Sequence, residues 1–204
     1  IMYYFKKFTF IITSIALITV SLCLMYCKGT KSDLSKTASP NVNTLNINYT
    51  YWWDQTGPFI GNCGEKYGAV FLGTLMNLQQ PIQKENYHSK EGLIRIDSVL
   101  YNQKNLLQIK KNTFITSDCF IDVQAKEGDL VLVFCYIYQN ELSIPGGKSI
   151  IKLDDVKDPL VLSTIKYLQA NQNPLIIEED LYLWSKEGLG NDLKQVLHCR
   201  KMFN

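Results

Sequence analysis

The spacing of apolar residues predicts five β-strands in the central part of the chain. Residues 129–138 carry no charge after Asp129, as expected for a strand that is buried on both faces. Gly68 and Gly73 interrupt another apolar run and indicate bends in a curled strand. The five predicted strands cover residues 67–76, 92–101, 106–116, 129–138 and 149–153.

Alternation within three of these strands identifies the expected core. Side chains two positions apart on a strand share a face. We therefore expect three such pairs to be buried, and they are Val70 with Leu72, Ile94 with Ile96, and Val131 with Val133.

The last quarter of the chain has a helical period instead. Asp158-Pro159 is a typical helix start, and the acidic residues 178–180 favour the start of a second helix. Asn191 is a suitable cap for a third helix. Strands followed by helices predict an α+β fold.

The N-terminal segment predicts export. Lys6 and Lys7 precede residues 8–26, which carry no charge and are rich in Ile, Leu, Phe and Thr. This is the arrangement of a signal peptide, and the run is also long enough to span a bilayer. Three outcomes remain open, namely lipidation after cleavage, an uncleaved membrane anchor, and plain secretion.

The end of this run resembles a bacterial lipoprotein signal. Leu24-Met25-Tyr26-Cys27 is followed by Lys28-Gly29, although Tyr26 is bulkier than the residue usual at that position. The resemblance implies that Cys27 carries the lipid. It places the protein in the bacterial cell envelope, anchored to a membrane on the periplasmic side or at the outer surface.

Residues that follow Cys27 have the composition of a flexible tether. Ser, Thr and Asn dominate up to residue 50, and no apolar period appears. The expected organisation is therefore a signal peptide or anchor at 1–26, a tether at 27–50, a strand domain at 51–157, and a helical segment packed on it at 158–204.

Charge and composition exclude several classes of protein. Lys and Arg number 21 against 19 Asp and Glu, and Lys6 and Lys7 account for the excess. Without that segment the net charge is zero, which argues against a nucleic-acid partner. A hydrophobic fraction of 46% with 20% charged residues excludes a disordered chain and a multi-span membrane protein.

Four cysteines follow the predicted lipidation site, namely Cys63, Cys119, Cys135 and Cys199. An even number in an exported chain favours two disulfides, with three possible pairings. Free thiols buried in the core are the alternative. The spacings include no Cys-x-x-Cys pair, so we expect no metal site.

Residues 63–155 resemble the netrin-like module and the tissue inhibitors of metalloproteinases. Cys63 precedes a Gly-rich strand, and Cys119 lies nine residues before the stretch Gly128–Val133. The resemblance implies a five-stranded OB-like barrel with helices packed on it. It also implies a Cys63–Cys119 disulfide, which leaves Cys135 to bond Cys199. The inhibitors chelate zinc through an N-terminal cysteine, whereas Cys63 is internal, so that mechanism does not carry over.

The chain also resembles uncharacterised exported lipoproteins of Bacteroidetes-type bacteria. The similar stretches are Tyr-Trp-Trp at 51–53, Gly-Pro-Phe-Ile-Gly at 57–61 and Ser-Asp-Cys-Phe at 117–120. This resemblance implies a localisation and no activity.

An aromatic segment at residues 49–59 is the expected binding surface, since five of its eleven residues are aromatic. Trp52 and Trp53 face opposite ways in an extended chain, so both cannot easily enter one core. An exposed aromatic ring beside a polar side chain suits stacking on a sugar or peptide. The expected ligand-binding residues are Tyr51, Trp52, Trp53 and Asp54. The alternative is a segment whose aromatic rings pin it across the domain.

Recognised catalytic motifs are absent from the sequence, so we expect no catalytic residues and no cofactor. The expected function is a membrane-tethered binding or inhibitory module with a protein or glycan ligand. The alternatives are a structural or assembly lipoprotein and an enzyme without a recognised motif. A polar pocket that contains His88 or Asp118 would favour the enzyme.

Lipidation at Cys27 makes a direct prediction. Cys27→Ser removes the acceptor thiol, so the variant should leave the membrane fraction or remain unprocessed. Metabolic labelling with a fatty acid measures this. Label retained by the variant would reject Cys27 as the attachment site.

Overall fold

The computed structural model describes residues 44–47, 55–84, 87–103, 109–139 and 141–203. All of them belong to one compact unit, Val42–Asn204. The predicted signal segment and Cys27 lie outside the described residues.

Nine strands lie in the described part of the chain. Three of them are long, with nine to twelve residues, and the other six have three or four residues each. Their bounds are β1 Thr44–Asn46, β2 Tyr67–Leu78, β3 Ile82–Lys84, β4 Tyr87–Ser89, β5 Gly92–Asn102, β6 Phe114–Ser117, β7 Leu130–Tyr138, β8 Glu141–Ser143 and β9 Ile150–Leu153.

Seven strands form one sheet, with β2 near its centre. Strand β2 pairs in antiparallel register with β5 on one side and β7 on the other. Beyond β5 follow β6 and then β1, which is parallel to β6. The far edge of β7 is shared, because β8 pairs with its end and β9 with its beginning. Strands β3 and β4 form a separate hairpin.

Four of the five predicted strands are confirmed as β2, β5, β7 and β9. The fifth prediction, residues 106–116, is wrong for most of its described part, where only Phe114–Thr116 are in a strand. Asn112 has a φ of 65°, and the Thr113 N–H bonds the Lys110 carbonyl. The chain therefore makes a tight turn where the sequence predicted extension. Residues Thr44–Asn46, within the range of the predicted tether, also pair in the sheet.

Both faces of β7 are buried along most of its length, which confirms the interpretation of the uncharged run. Leu132, Phe134 and Tyr136 enter one core, which we call the helix-side core. Val131, Val133 and Cys135 enter a second core on the opposite face, which we call the far-side core. Successive side chains on a strand point to opposite faces, so β7 contributes to both.

The six expected core residues are all buried, but they are divided between the two cores. Val70 and Leu72 belong to the helix-side core. The pairs from β5 and β7 belong to the far-side core. The alternation predicted which residues of one strand share a face, but not which faces of different strands coincide.

Three α-helices follow the sheet, α1 Pro159–Gln169, α2 Leu181–Lys186 and α3 Gly190–Phe203. Asp158 caps α1 by accepting a hydrogen bond from the Leu160 N–H at 2.8 Å, as Asp158-Pro159 predicted. The acidic residues 178–180 end a 3₁₀ helix, Pro174–Asp180, and α2 follows directly. All three helices bury residues in the helix-side core, among them Leu160, Trp184 and Val196.

The predicted α+β class is confirmed. Between the described strands the sheet is an open path from β1 to β8, and no pairing closes it into a barrel.

Central placement of β7 predicts the effect of a buried charge. Val133→Asp puts an unpaired carboxylate into the far-side core, which costs several kcal/mol, comparable with a total stability of about 5–15 kcal/mol. The variant should fail to give a cooperative unfolding transition. Met76→Asp, at a position 40% exposed on the neighbouring strand β2, is the matched control and should fold. A soluble, cooperatively folded Val133→Asp protein would contradict the two-sided burial of β7.

Candidate functional site

A disulfide joins Cys63, in the loop before β2, to Cys199 on α3, with their Cα atoms 5.1 Å apart. Cys119 and Cys135 are free and buried. The pairing that the netrin-like resemblance implied, Cys63 with Cys119 and Cys135 with Cys199, is therefore wrong for this structure. Among the described residues one disulfide is present, where the cysteine count favoured two.

The direction of side chains on β7 explains this pairing. Cys135 points into the far-side core, whereas α3 packs on the helix-side core, so the sheet separates Cys135 from Cys199. Burial raises the pKa of the Cys119 thiol to about 12. Burial also raises the pKa of Cys135. Thiols that remain protonated are poor nucleophiles, so neither is suited to covalent catalysis.

The disulfide is one of several bonds that fix residues 57–66, which we call the clasped loop. The Pro58 carbonyl accepts hydrogen bonds from the hydroxyls of Tyr67 and Tyr136. Arg200 donates from Nε to the Cys63 carbonyl at 2.8 Å. The loop is thus bonded to β2, β7 and α3.

Aromatic packing and a glycine bring the clasped loop against the helices. Phe59 is buried, and its ring lies 4.8 Å from that of Trp184. Gly64 has a φ of 81°, and a Cβ there would lie only 2.9 Å from the Val196 side chain. A larger residue would push the loop away from α3.

Gln172 fastens the end of α1 to the start of β2. Its side-chain oxygen accepts a bond from the Tyr67 N–H at 2.6 Å, and its amide nitrogen donates to the Tyr67 carbonyl at 3.3 Å. Gln172 is buried and has a φ of 59°.

A cavity of about 590 Å³, which we call the cleft, opens between the clasped loop and the end of β7. Its walls combine amides, a carboxylate, an ammonium group and tyrosine rings. They are formed by Gln55, residues 60–62, residues 65–66 and residues 136–138.

Bonds across the wall give the cleft a fixed shape. Gln55 accepts a hydrogen bond from the Gly61 N–H at 2.5 Å, and the Glu65 N–H bonds the Ile60 carbonyl at 2.8 Å. Burial raises the pKa of Tyr136, so its phenol stays protonated and donates to Pro58. Tyr138, by contrast, is 37% exposed at the mouth of the cleft.

The predicted ligand-binding residues Tyr51, Trp52, Trp53 and Asp54 lie outside the described residues. The next residue along the chain, Gln55, lines the cleft. Phe59, from the same aromatic segment, is buried in the helix-side core, as the pinned alternative expects. Sequence reasoning missed Asn62, Glu65 and Tyr138. Asn62 and Glu65 lie in the Gly-rich loop next to a cysteine, which was their only signal, and Tyr138 ends the uncharged strand.

A second cavity, of about 280 Å³, contains both residues that the sequence associated with an enzyme. His88 and Asp118 line it together with Asp122, Lys148 and Cys119. Among these residues Cys119 has its pKa raised by burial, as described above, so it does not supply a thiolate. Within the described part of the chain, no group of three metal-ligating side chains could hold a metal ion.

Neither a known protein family nor a curated protein shows significant similarity to this chain. Among the described helices, none has the length and apolar character needed to cross a membrane. What the protein does must therefore be inferred from its own residues.

Proposed function

We propose that the protein is an exported, membrane-tethered binding module that holds a glycan in the cleft. The observation that carries this proposal is the position of the cleft. Its wall includes Gln55, which directly follows the predicted ligand-binding residues 51–54, and a loop that a disulfide and buried hydrogen bonds fix in place.

The chemistry of the wall suits a ligand rich in hydroxyl groups. The amides of Gln55 and Asn62 each offer a donor and an acceptor, and Glu65 adds acceptors. Tyr138 provides an exposed ring at the mouth, on which a sugar face can stack. Tyr51, Trp52, Trp53 and Asp54 are the further ligand contacts of this proposal, because aromatic rings stack on sugars and a carboxylate accepts hydrogen bonds from hydroxyl groups.

Fixed walls favour binding, because a loop that is ordered before the ligand arrives loses little conformational entropy. A tethered binding module also agrees with the predicted lipid at Cys27 and with the Ser-, Thr- and Asn-rich residues that follow it. In this proposal the tether holds the module off the membrane of the cell envelope.

The OB-like barrel remains part of the proposal. Strand β2 has register shifts after Val70 and Leu72 against β5, and such bulges bend strands in barrels. Gly68 and Gly73 leave room for Ile137 and Ile94, whose side chains would lie within 2.5 Å of an added Cβ. These features support a strongly curled sheet.

Catalysis in the second cavity is the other candidate function. His88 and Asp118 line one small polar cavity, which is the arrangement that would favour an enzyme. An imidazole and carboxylates supply acid–base groups. We rank it second because Cys119, the thiol in the same wall, stays protonated. A structural or assembly role would need neither cavity.

Substitutions in the wall of the cleft separate glycan binding from the other candidate functions. Tyr138→Ala removes the exposed ring at its mouth, and Asn62→Ala removes an amide from its wall. Each should weaken glycan binding about tenfold or more, the effect of losing one well-placed contact of about 1.4 kcal/mol. Isothermal titration with the tightest ligand from an oligosaccharide array measures this.

The matched control is Tyr182→Ala, which removes a tyrosine ring that is 60% exposed on α2. Its affinity should equal that of the original protein. Equal affinities for the Tyr138→Ala, Tyr182→Ala and original proteins would show that the ligand does not bind in the cleft. An array that shows no bound oligosaccharide would reject the glycan proposal.

A further inference from the structure

Lys66 and Arg200 line a third cavity beside the cleft, and no acidic residue shares its wall. This notch has a volume of about 270 Å³, and its remaining walls are Ala170 and the polar residues Asn171, Gln172 and Asn173. Lys66 also lines the cleft, so the two cavities adjoin at that side chain.

Both cations lack an acidic partner among the described residues. The ion pairs of the described chain involve Arg95, Lys148, Lys152, Lys166 and Lys201, and neither Lys66 nor Arg200 is among them. Among the described residues, the hydrogen-bond partner of Lys66 is a neutral acceptor, the Asn171 side-chain oxygen, at 3.3 Å. Neither cation of the notch is therefore engaged in an ion pair with a described residue.

The guanidinium group of Arg200 is held in place before a ligand binds. Its Nε donates to the Cys63 carbonyl at 2.8 Å, and the adjacent Cys199 is disulfide-bonded to Cys63. A guanidinium group has five N–H donors, and this bond uses one. The terminal nitrogens have no acceptor among the described residues, and their planar geometry matches a carboxylate, sulfate or phosphate.

Capping of the C-terminal end of α1 does not explain why Lys66 and Arg200 lie here. Lysine and arginine often bond the last carbonyls of a helix. Here the carbonyls of Lys166, Tyr167 and Leu168 already accept bonds from the backbone N–H groups of residues 170–172. Lys66 and Arg200 bond a side-chain amide and a loop carbonyl instead.

We infer that the notch is an anion subsite of the cleft, and that the ligand is an acidic glycan whose carboxylate, sulfate or phosphate group lies between Lys66 and Arg200. This inference rests on the proposed function for the glycan part. The anion subsite itself depends only on the residues of the notch.

The first experiment titrates the full chain with sodium sulfate, acetate and phosphate at constant ionic strength. Nuclear magnetic resonance follows the Arg200 Nε–H and the backbone amides of residues 171–173. Saturable shifts at these groups are expected, and the anion with the tightest binding identifies the class of group. Shifts that do not saturate, or that are spread over the surface, would mean an adventitious ion only and would overturn the inference.

Substitutions that remove one positive charge at different positions test whether the geometry of the notch determines anion binding. Arg200→Gln and Lys66→Gln should each reduce anion affinity at least tenfold. Lys201→Gln removes the same charge one residue away, where the ion pair with Glu178 already holds it, and should leave affinity unchanged. Arg200→Lys keeps the charge but lacks the planar guanidinium group, so this variant should lose most of its affinity for the anion. Equal losses in Arg200→Gln and Lys201→Gln would show a general charge effect and overturn the subsite.

The second experiment separates the subsite from the proposed function. An array presents each acidic oligosaccharide beside its neutral analogue, and the acidic member should bind at least tenfold more tightly. Equal binding of both members would overturn the inference and leave the glycan proposal standing. Binding of neither would reject the glycan proposal, and the sulfate titration alone would then decide whether the notch binds anions.

Discussion

Burial of strand β7 on both faces is the constraint on which the rest of the structure depends. A strand with Val131, Val133 and Cys135 on one face and Leu132, Phe134 and Tyr136 on the other needs a layer on each side. The three helices supply one layer. The far-side core supplies the other with side chains from β5, β6 and the segments around Phe120 and Ile144. The clasped loop is bonded to the edge of this double-sided core, and the cleft exists because the loop is held there.

The disulfide follows the same division of the molecule. Cys63 and Cys199 both lie on the helix side of the sheet, where a loop-to-helix bond fixes the clasped loop. Cys119 and Cys135 are on the far side, where burial keeps their thiols protonated. The sheet thus separates the four cysteines into a bonded pair on the helix side and two thiols that fill the far-side core.

Periodic features were predictable from the sequence, and the site was not. The uncharged run at 129–138 predicted two-sided burial, and Asp158-Pro159 predicted the start of α1, because both are local patterns. The disulfide depends on which face of the sheet α3 covers, and no local pattern encodes that. The cleft combines Asn62, Glu65 and Tyr138, which come from a loop and a strand end far apart in sequence. The pairing of Arg200 with the Cys63 carbonyl spans 137 residues and left no signal at all.

The central claim is that the sheet is a self-sufficient scaffold and that the disulfide holds the clasped loop against it to form the cleft. Hydrogen–deuterium exchange over the first minutes of labelling, with the Cys63–Cys199 bond intact or reduced, tests this directly. Such short labelling detects local opening, whereas buried strands exchange on the scale of global unfolding. On reduction, peptides that cover residues 57–66 should gain deuterium while those covering β2 and β7 stay protected. An unchanged loop, or equal gains in the loop and both strands, would contradict the account.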